Sequence, residues 1–342
     1  LCSTLKKATF VFIFTVGILS FFHTSCELAS DPNEAMVSDT TLSLEVREWS
    51  KKIVANPKQA DYYTQRAEVL ASEKRFDLAV SDYETAISLD SDNPSIYHEL
   101  GDIYFANDET SRALEYYKKA EEVGPNDVES IFKHAQFLYF ARQFDKSEIK
   151  FGKLLNLNPE NSKGTFFLAM LQKENGDTVK SISSFERVIS LLGSDYNSSM
   201  QLALLHDKLG DNEQALIYYE KAINADPSSD EAYYSRGLHY QKMGDDDKAM
   251  RDYQHTIDLS ATNYLAYYNA GNILAKLGNY TKAIDHFEIC IRLKENYPKA
   301  YNRIGQCFEL LGNPEKALEN YKKCLQIDPN FALAKEGLER LS

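Results

Sequence analysis

The sequence holds a single tryptophan and five cysteines in 342 residues, and no two cysteines form a C-x-x-C pair. Zinc knuckles and dithiol redox sites need that spacing, so neither is indicated. Glycine (15) and proline (9) are too sparse for a collagen-like or linker-dominated chain. No basic run exceeds a pair such as Lys6-Lys7, and 51 acidic against 38 basic side chains give a formal charge of −13. A nucleic-acid surface needs clustered Lys and Arg to displace counterions, so no nucleic-acid partner is expected. G-x-S-x-G, P-loop, G-x-G-x-x-G and H-E-x-x-H patterns are all missing, and the seven histidines are scattered. No catalytic site, cofactor or metal is therefore expected. What the chain does have is apolar bulk, 43% of residues beside 26% charged, which is a globular balance. Its 22 Tyr and 18 Phe are unusually many.

The N-terminus reads as an address. Lys6-Lys7 precedes fifteen uncharged residues, Ala8 to Phe22, too few for a bilayer span of about 20 residues but suited to the apolar region of an export signal. His23-Thr24-Ser25-Cys26 then resembles a bacterial lipobox, in which small residues precede a cysteine that is acylated; His23 departs from the aliphatic usual there. The resemblance implies lipidation of Cys26. Cleavage without a lipid and an uncleaved anchor stay open, and all three readings place the rest outside the cytoplasm, in the cell envelope. The chain opens on Leu1, so a non-standard or missing start is expected. Residues 1–25 form the expected signal. Residues 26–41 lack a periodic apolar stripe and read as a flexible tether, the fifteen residues after Cys26 reaching ~50 Å at full extension.

From there on a strict period governs. The aromatics Tyr83, Tyr117, Phe151, Phe185, Tyr219, Tyr253, Phe287 and Tyr321 are each 34 residues apart. Four residues before each stands a small side chain (Ala79, Ala113, Ser147, Ser181, Ala215, Ala249, Ala283, Ala317), and sixteen before each another (Ala67, Gly101, Ala135, Ala169, Ala203, Gly237, Gly271, Gly305). Within one unit apolar residues recur at helical spacing in two blocks, as with Tyr301, Ile304 and Phe308 and then Ala317, Tyr321 and Cys324. Gly312 between the blocks suits a left-handed helix end, and Pro329 stops the second helix. One hairpin cannot bury its apolar face alone, so stacking must supply the core.

This period and pattern resemble the tetratricopeptide repeat family. The resemblance implies an all-α fold: a right-handed superhelical α/α solenoid of eight helix hairpins at 60–93, 94–127, 128–161, 162–195, 196–229, 230–263, 264–297 and 298–331. Residues 42–57 read as an N-terminal capping helix, with Trp49 in the aromatic register, and 332–342 as a C-terminal one. Repeats four and five replace apolar positions with Thr165, Gln172, Ser199 and His206 around a Gly193-Ser194-Asp195 junction, where the lowest local stability is expected. His134 and His206 read as hydrogen-bonded core residues, and Cys290 and Cys324 as compact fillers where other repeats carry Ala. A disulfide among Cys290, Cys307 and Cys324 stays open.

In that family the first helices line a concave groove, and the second, fifth, ninth, twelfth and thirteenth positions of each unit face the ligand. Here those positions hold Phe132, Tyr139, Phe140, Phe166, Met170, Met200, Leu204, Tyr234, Leu238, Leu265 and Tyr268, an apolar strip expected to be exposed and to bind a partner. Lys208, Lys242 and Lys276 run beside it at the repeat spacing, with Lys163, Lys173 and Lys299 added. Asn269, Lys299 and Arg303 match three of five places in the family's two-carboxylate clamp, while Tyr234 and Leu238 break the other two. The expectation is a non-catalytic scaffold capturing a protein or extended peptide and attached to a membrane at its N-terminus. Alternatives are an assembly subunit resembling pilus or outer-membrane assembly lipoproteins, or a regulatory module of a partner enzyme. Oligomeric state and partner identity are not written in the sequence.

Overall fold

A computed structural model describes residues 31–342; the signal-like segment, Cys26 and residues 27–30 lie outside the described residues. Every regular element among the described residues is an α-helix, and the chain divides into two compact units. The first, ending at Ser91, contains α1 (Pro32–Ser38), α2 (Leu44–Ala55), α3 (Ala60–Ser72) and α4 (Phe76–Leu89). The second, Asp92–Ser342, contains the hairpins α5 (Pro94–Ala106) and α6 (Thr110–Val123), α7 (Val128–Phe140) and α8 (Phe144–Leu157), α9 (Ser162–Glu174) and α10 (Thr178–Leu192), and α11 (Tyr196–Leu209) and α12 (Asn212–Ala225). It continues through α13 (Asp230–Met243) and α14 (Asp246–Leu259), α15 (Tyr264–Lys276) and α16 (Tyr280–Leu293), and α17 (Pro298–Leu310) and α18 (Pro314–Ile327), and closes with α19 (Ala332–Leu341). Each expected repeat is one hairpin.

Local chemistry explains the punctuation. Asn93, Asp127, Asn161, Asp195, Ser229 and Asn263, one per period, each cap a first helix by accepting from a backbone N–H two or three residues on. That satisfies a donor the helix cannot use internally. The turn inside each hairpin passes through one left-handed residue, again at a spacing of 34: Gly176, Gly210, Gly244, Gly278 and Gly312, but Lys74, Asp108 and Arg142 in the first three repeats. The sequence reading noticed Gly312 and not the other glycines or the three side chains forced into the same turn.

The periodic aromatics are the core. Tyr83, Tyr117, Phe151, Phe185, Tyr219, Tyr253, Phe287 and Tyr321 are all buried. Gly271 shows why its position is small: a Cβ there would stand 2.7 Å from a ring carbon of Phe287. Ser147 and Ser181 replace the usual Ala and are buried too, each donating its hydroxyl to the carbonyl of the small residue twelve positions earlier, Ala135 and Ala169, at 2.8 and 2.9 Å. Cys290, Cys307 and Cys324 are buried free thiols, which answers the open question of a disulfide; burial pushes the Cys290 thiol up to about 12.

Two expectations change at the ends. The segment read as a flexible tether includes α1, whose N-terminus is capped by Asp31 and begins at Pro32, a residue already shaped for a first helical turn. Trp49 sits half-buried against Tyr62, with the Lys52 ammonium 3.6 Å from its ring centre, while the packing of α2 is carried by Val46 and Ile53. At the C-terminus α19 behaves as a cap: Gly337 fits against the Tyr321 ring, and Arg340 donates to both oxygens of Glu309 at 2.6 and 2.8 Å. No helix among the described residues is long and apolar enough to cross a membrane.

Candidate functional site

In the second unit each second helix packs against the first helix of its own hairpin and of the next, whereas α5, α7 and α9, and likewise α15, α17 and α19, also touch one another directly. First helices therefore form one layer, and the family's ligand-facing positions lie on it. Two clefts open along that layer. One, about 340 Å³, is floored by Phe132, Phe166 and Phe167, reaches down to Val188 and Leu192 of α10, and is rimmed by Glu129, Lys133, Gln136, Lys163 and Asn197. The other, about 370 Å³, is lined by Gln241, Asn272, Ala275, Lys276, Arg303, Gln306, Cys307 and Leu310. Among its lining side chains are two cations and no carboxylate. A third, more apolar cleft of about 450 Å³ lies between Phe105, Leu114, Phe137 and Phe140 near the hairpin turns of α5–α6 and α7–α8.

The expected apolar strip is only partly on the surface. Phe140 is 53% exposed, and Leu204 and Leu238 are also exposed. Tyr139, Phe166, Met170, Tyr234, Leu265 and Tyr268 are half-buried. Phe132 and Met200 were expected to be free of the hairpin packing and are not: they are 5% and 4% exposed. Phe132 lies edge-on to Phe151 and Phe167, and Met200 joins the core around Phe185 and Tyr219. Their side chains are long enough to bend down between neighbouring first helices, so the register position alone does not secure exposure.

The charged residues also need correction. Lys242 donates to Asp207 at 2.7 Å and Lys276 pairs with Asp246, so two rungs of the lysine ladder already hold a carboxylate of this chain; Lys208 is exposed. The lysine ends of both pairs are well exposed, where such bridges contribute little, so the ammonium groups stay available to a partner. Lys173 donates to Gln201, while Lys163 and Lys299 are exposed. Burial raises the Asp207 carboxyl, but hydrogen bonds from Lys242 and His239 outweigh it and hold the group below its ordinary range. The clamp-like trio is not gathered. Asn269 donates its amide to the Tyr234 hydroxyl at 3.1 Å, and Arg303, bonded to Gln306, shares its cleft with Lys276 rather than with Asn269.

Comparison with known proteins bears on the repeats directly. Sequence profiles described as tetratricopeptide repeat match residues 264–297, 298–331, 94–127 and 230–263, and one described as TPR repeat matches 67–108 and 208–244. Together these stretches cover 67–127 and 208–331, more than half of the chain. The chain belongs to the tetratricopeptide repeat family. Over 141 residues it is 31% identical to the small glutamine-rich tetratricopeptide repeat-containing protein 2 of Saccharomyces cerevisiae, covering 40% of this chain and 38% of that protein, so the match spans well under half of the relative's length. The crystal structure of the C-terminal part of a TPR repeat-containing protein from Cytophaga hutchinsonii superposes with a TM-score of 0.62 at 18% identity, covering 70% of this chain and 99% of that one. A crystal structure of MamA protein matches with a TM-score of 0.47 at 24% identity over 51% of this chain and 95% of its own.

Within this tetratricopeptide repeat array, three features escaped the sequence reading. Phe167 is the hub of the aromatic cleft, its ring touching Phe132, Tyr139, Phe140, Phe151 and Phe166. Its signal was the run Thr165-Phe166-Phe167, where two adjacent rings cannot both face one way on a helix. Glu121 occupies a column that is aliphatic in every other repeat (Ile87, Leu155, Ile189, Ile223, Ile257, Ile291, Leu325). It is held by Lys150, Lys153 and His134 at 2.6, 2.9 and 2.8 Å. Burial works against its charge, yet those three partners hold the carboxyl down at about 2. Lastly, Lys133 reaches across to Asp102 at 2.6 Å, and Asp102 also accepts from the Tyr117 hydroxyl, whose ionisation burial and that carboxylate push up. His134 is the hydrogen-bonded core histidine expected; His206 lies flat on Tyr218, its Nδ1 3.3 Å from the Asp211 carboxylate but with no well-directed hydrogen bond to either ring nitrogen. Among the described residues no group of three or more His, Cys, Asp or Glu is arranged to hold a metal ion.

Proposed function

We propose that this tetratricopeptide repeat protein is a non-catalytic scaffold that holds an extended peptide segment of a partner protein along its first-helix layer. The observation that carries this reading is the cleft above buried Phe132, where half-buried Phe166 and Phe167 keep aromatic surface open to solvent between packed hairpins. An apolar side chain of the guest enters there and supplies affinity, since removing apolar area from water is worth about 25 cal/mol per Å². Arg303 and Lys276 in the second cleft orient a carboxylate-bearing stretch of the same segment. The scaffold works in the cell envelope, attached through the N-terminal segment at Cys26; Lys6-Lys7, the apolar stretch Ala8 to Phe22 and the lipobox-like Thr24-Ser25-Cys26 support that address.

Photo-crosslinking side chains placed at position 166 in the cleft, and at position 179 on the outward side of α10, test the reading in native envelopes. Val179 is 80% exposed, so access is not the variable. The expected outcome is one set of partners trapped from position 166 and missing from position 179, and lost when Phe140→Ser and Leu238→Ser are combined without loss of helical signal. Equal trapping from both positions would overturn it. Cys26→Ser tests the address separately: the protein should leave the membrane fraction.

A further inference from the structure

Among the described residues of the first unit Arg66 is the most deeply buried ion, 2% exposed, and its guanidinium bonds to three other helices. Nε and Nη2 donate to the two oxygens of Asp82 on α4, both at 2.7 Å, and Nη1 donates to the Ser50 hydroxyl on α2 at 2.9 Å. Nη2 also donates to Asn33 Oδ1 on α1 at 2.8 Å. The Asn33 amide is spoken for at both ends, since its Nδ2 donates to Asp31 at 3.0 Å. Five periods on, Arg236 and Asp252 repeat the pair with the same bidentate geometry at 2.8 Å, but there Arg236 is 17% exposed and flanked only by the rings of Tyr233 and Tyr240. The ion pair thus recurs once, in the sixth repeat. The additional acceptors from α1 and α2 belong to the N-terminus alone.

We propose that α1 is a strap that docks the segment preceding the solenoid onto the first repeat, with the Arg66 guanidinium as its fastening point. No side chain of α1 is fully buried, so apolar packing holds it only weakly. Seven residues are also too few for a helix to persist by itself in water. The part-buried, charge-assisted bond from Arg66 to Asn33 is therefore what keeps α1 in place. The turn that follows is short and self-bonded, with Thr41 N–H and hydroxyl both donating to Asp39 at 2.8 and 2.7 Å, which suits a hinge. The strap changes the reach of any N-terminal attachment. A chain leaving the folded body at Asp31 has five residues back to Cys26, ~17 Å at full extension, where an undocked 27–41 would allow ~50 Å. This consequence rests on the proposed attachment at Cys26; the docking of α1 does not.

Hydrogen exchange of the 33–38 amides in the full chain, with Asn33→Ala and with a free peptide of residues 27–43, decides it. Those amides should exchange at least about tenfold more slowly in the protein than in the peptide, and Asn33→Ala should abolish about tenfold of that protection, the effect of losing one hydrogen bond to a charged partner. Alanine favours helix over asparagine, so the same substitution should slightly raise helicity in the peptide; opposite signs in protein and peptide isolate the docking contact from helix propensity. Amides of α17 and α18 should be unaffected and show that the solenoid is intact. Peptide-like exchange of 33–38 in the native chain, or protection unchanged by Asn33→Ala, would overturn the proposal. None of these readouts depends on acylation or on a bound partner.

Discussion

Repeats three to five and repeats six to eight share a period and differ in what they put inside it. In the later set the closest helix approach is made by Gly237, Gly271 and Gly305, each pressed against its aromatic, and the turns run through Gly244, Gly278 and Gly312. The earlier set uses Ala135, Ala169 and Ala203, inserts Ser147 and Ser181, turns once through Arg142, and places Gln172 and His206 where Tyr240, Leu274 and Phe308 stand later. The aromatic cleft at Phe132, Phe166 and Phe167 lies in the earlier set. The aromatic opening thus sits among the departures from the packing rule, as expected where a structure gives up local stability for a site.

The largest contrast should come from overpacking the regular half. Gly271→Leu forces a side chain into a space where even a Cβ would be 2.7 Å from Phe287, and should cost about 3 kcal/mol, read as a lowered denaturant midpoint. Acid should next strike the junction of repeats two and three. Glu121 is depressed from 4.5 to about 2 by Lys150, Lys153 and His134 against the opposing effect of burial, so its stabilisation is complete above pH ~4.5 and disappears as pH falls through about 2. Its loss should amount to roughly 2 kcal/mol, and Glu121→Gln should flatten that part of the stability–pH curve. A curve unchanged by the substitution would mean that Lys150, Lys153 and His134 are not held by this carboxylate.

Smaller and opposite in sign is Arg142→Gly. At φ 56 Arg142 occupies the backbone region that costs a side-chain-bearing residue about 1–2 kcal/mol, and glycine recovers part of that, offset by its own unfolded-state freedom. A gain of about 1 kcal/mol by thermal unfolding is expected, while Gly278→Arg at the same turn of the regular half should lose a similar amount.

Much of this was legible beforehand because a 34-residue repeat prints its contacts eight times. The buried status of Phe151 or Tyr253, the hairpin boundaries and the cap at α19 follow from local periodicity, which needs no knowledge of distant residues. Groove exposure was less legible. Phe132 and Phe140 both sit at ligand-facing positions and both touch Phe167 of the next repeat, yet one bends into the core and the other stands in solvent, a difference the register position does not encode. Lys276 could not be seen to face Asp246 from spacing alone, since the partner lies 30 residues away on another helix. Arg66 carried no signal in the sequence, because its acceptors on α1 and α2 lie outside the repeat pattern.

The finest test of the contrast lies at His206. Its column is otherwise filled by Leu70, Tyr104, Leu138, Tyr240, Leu274 and Phe308, apart from Gln172, whose amide oxygen accepts from Ser184. His206 has no such well-directed bond, and a polar ring kept from water without one is a net cost. His206→Leu should therefore stabilise the chain by somewhat under 1 kcal/mol, and the effect should be local. Amides of 190–206, a stretch that spans the junction at Gly193 and includes the buried, unpartnered Ser198 hydroxyl, should exchange at least about tenfold faster than those of 264–310 in the native chain. The substitution should narrow that gap from the 190–206 side alone. If both stretches exchange alike before any substitution, the irregular interior of repeats four and five carries no local weakness, and the aromatic cleft opened beside it without any loss of stability.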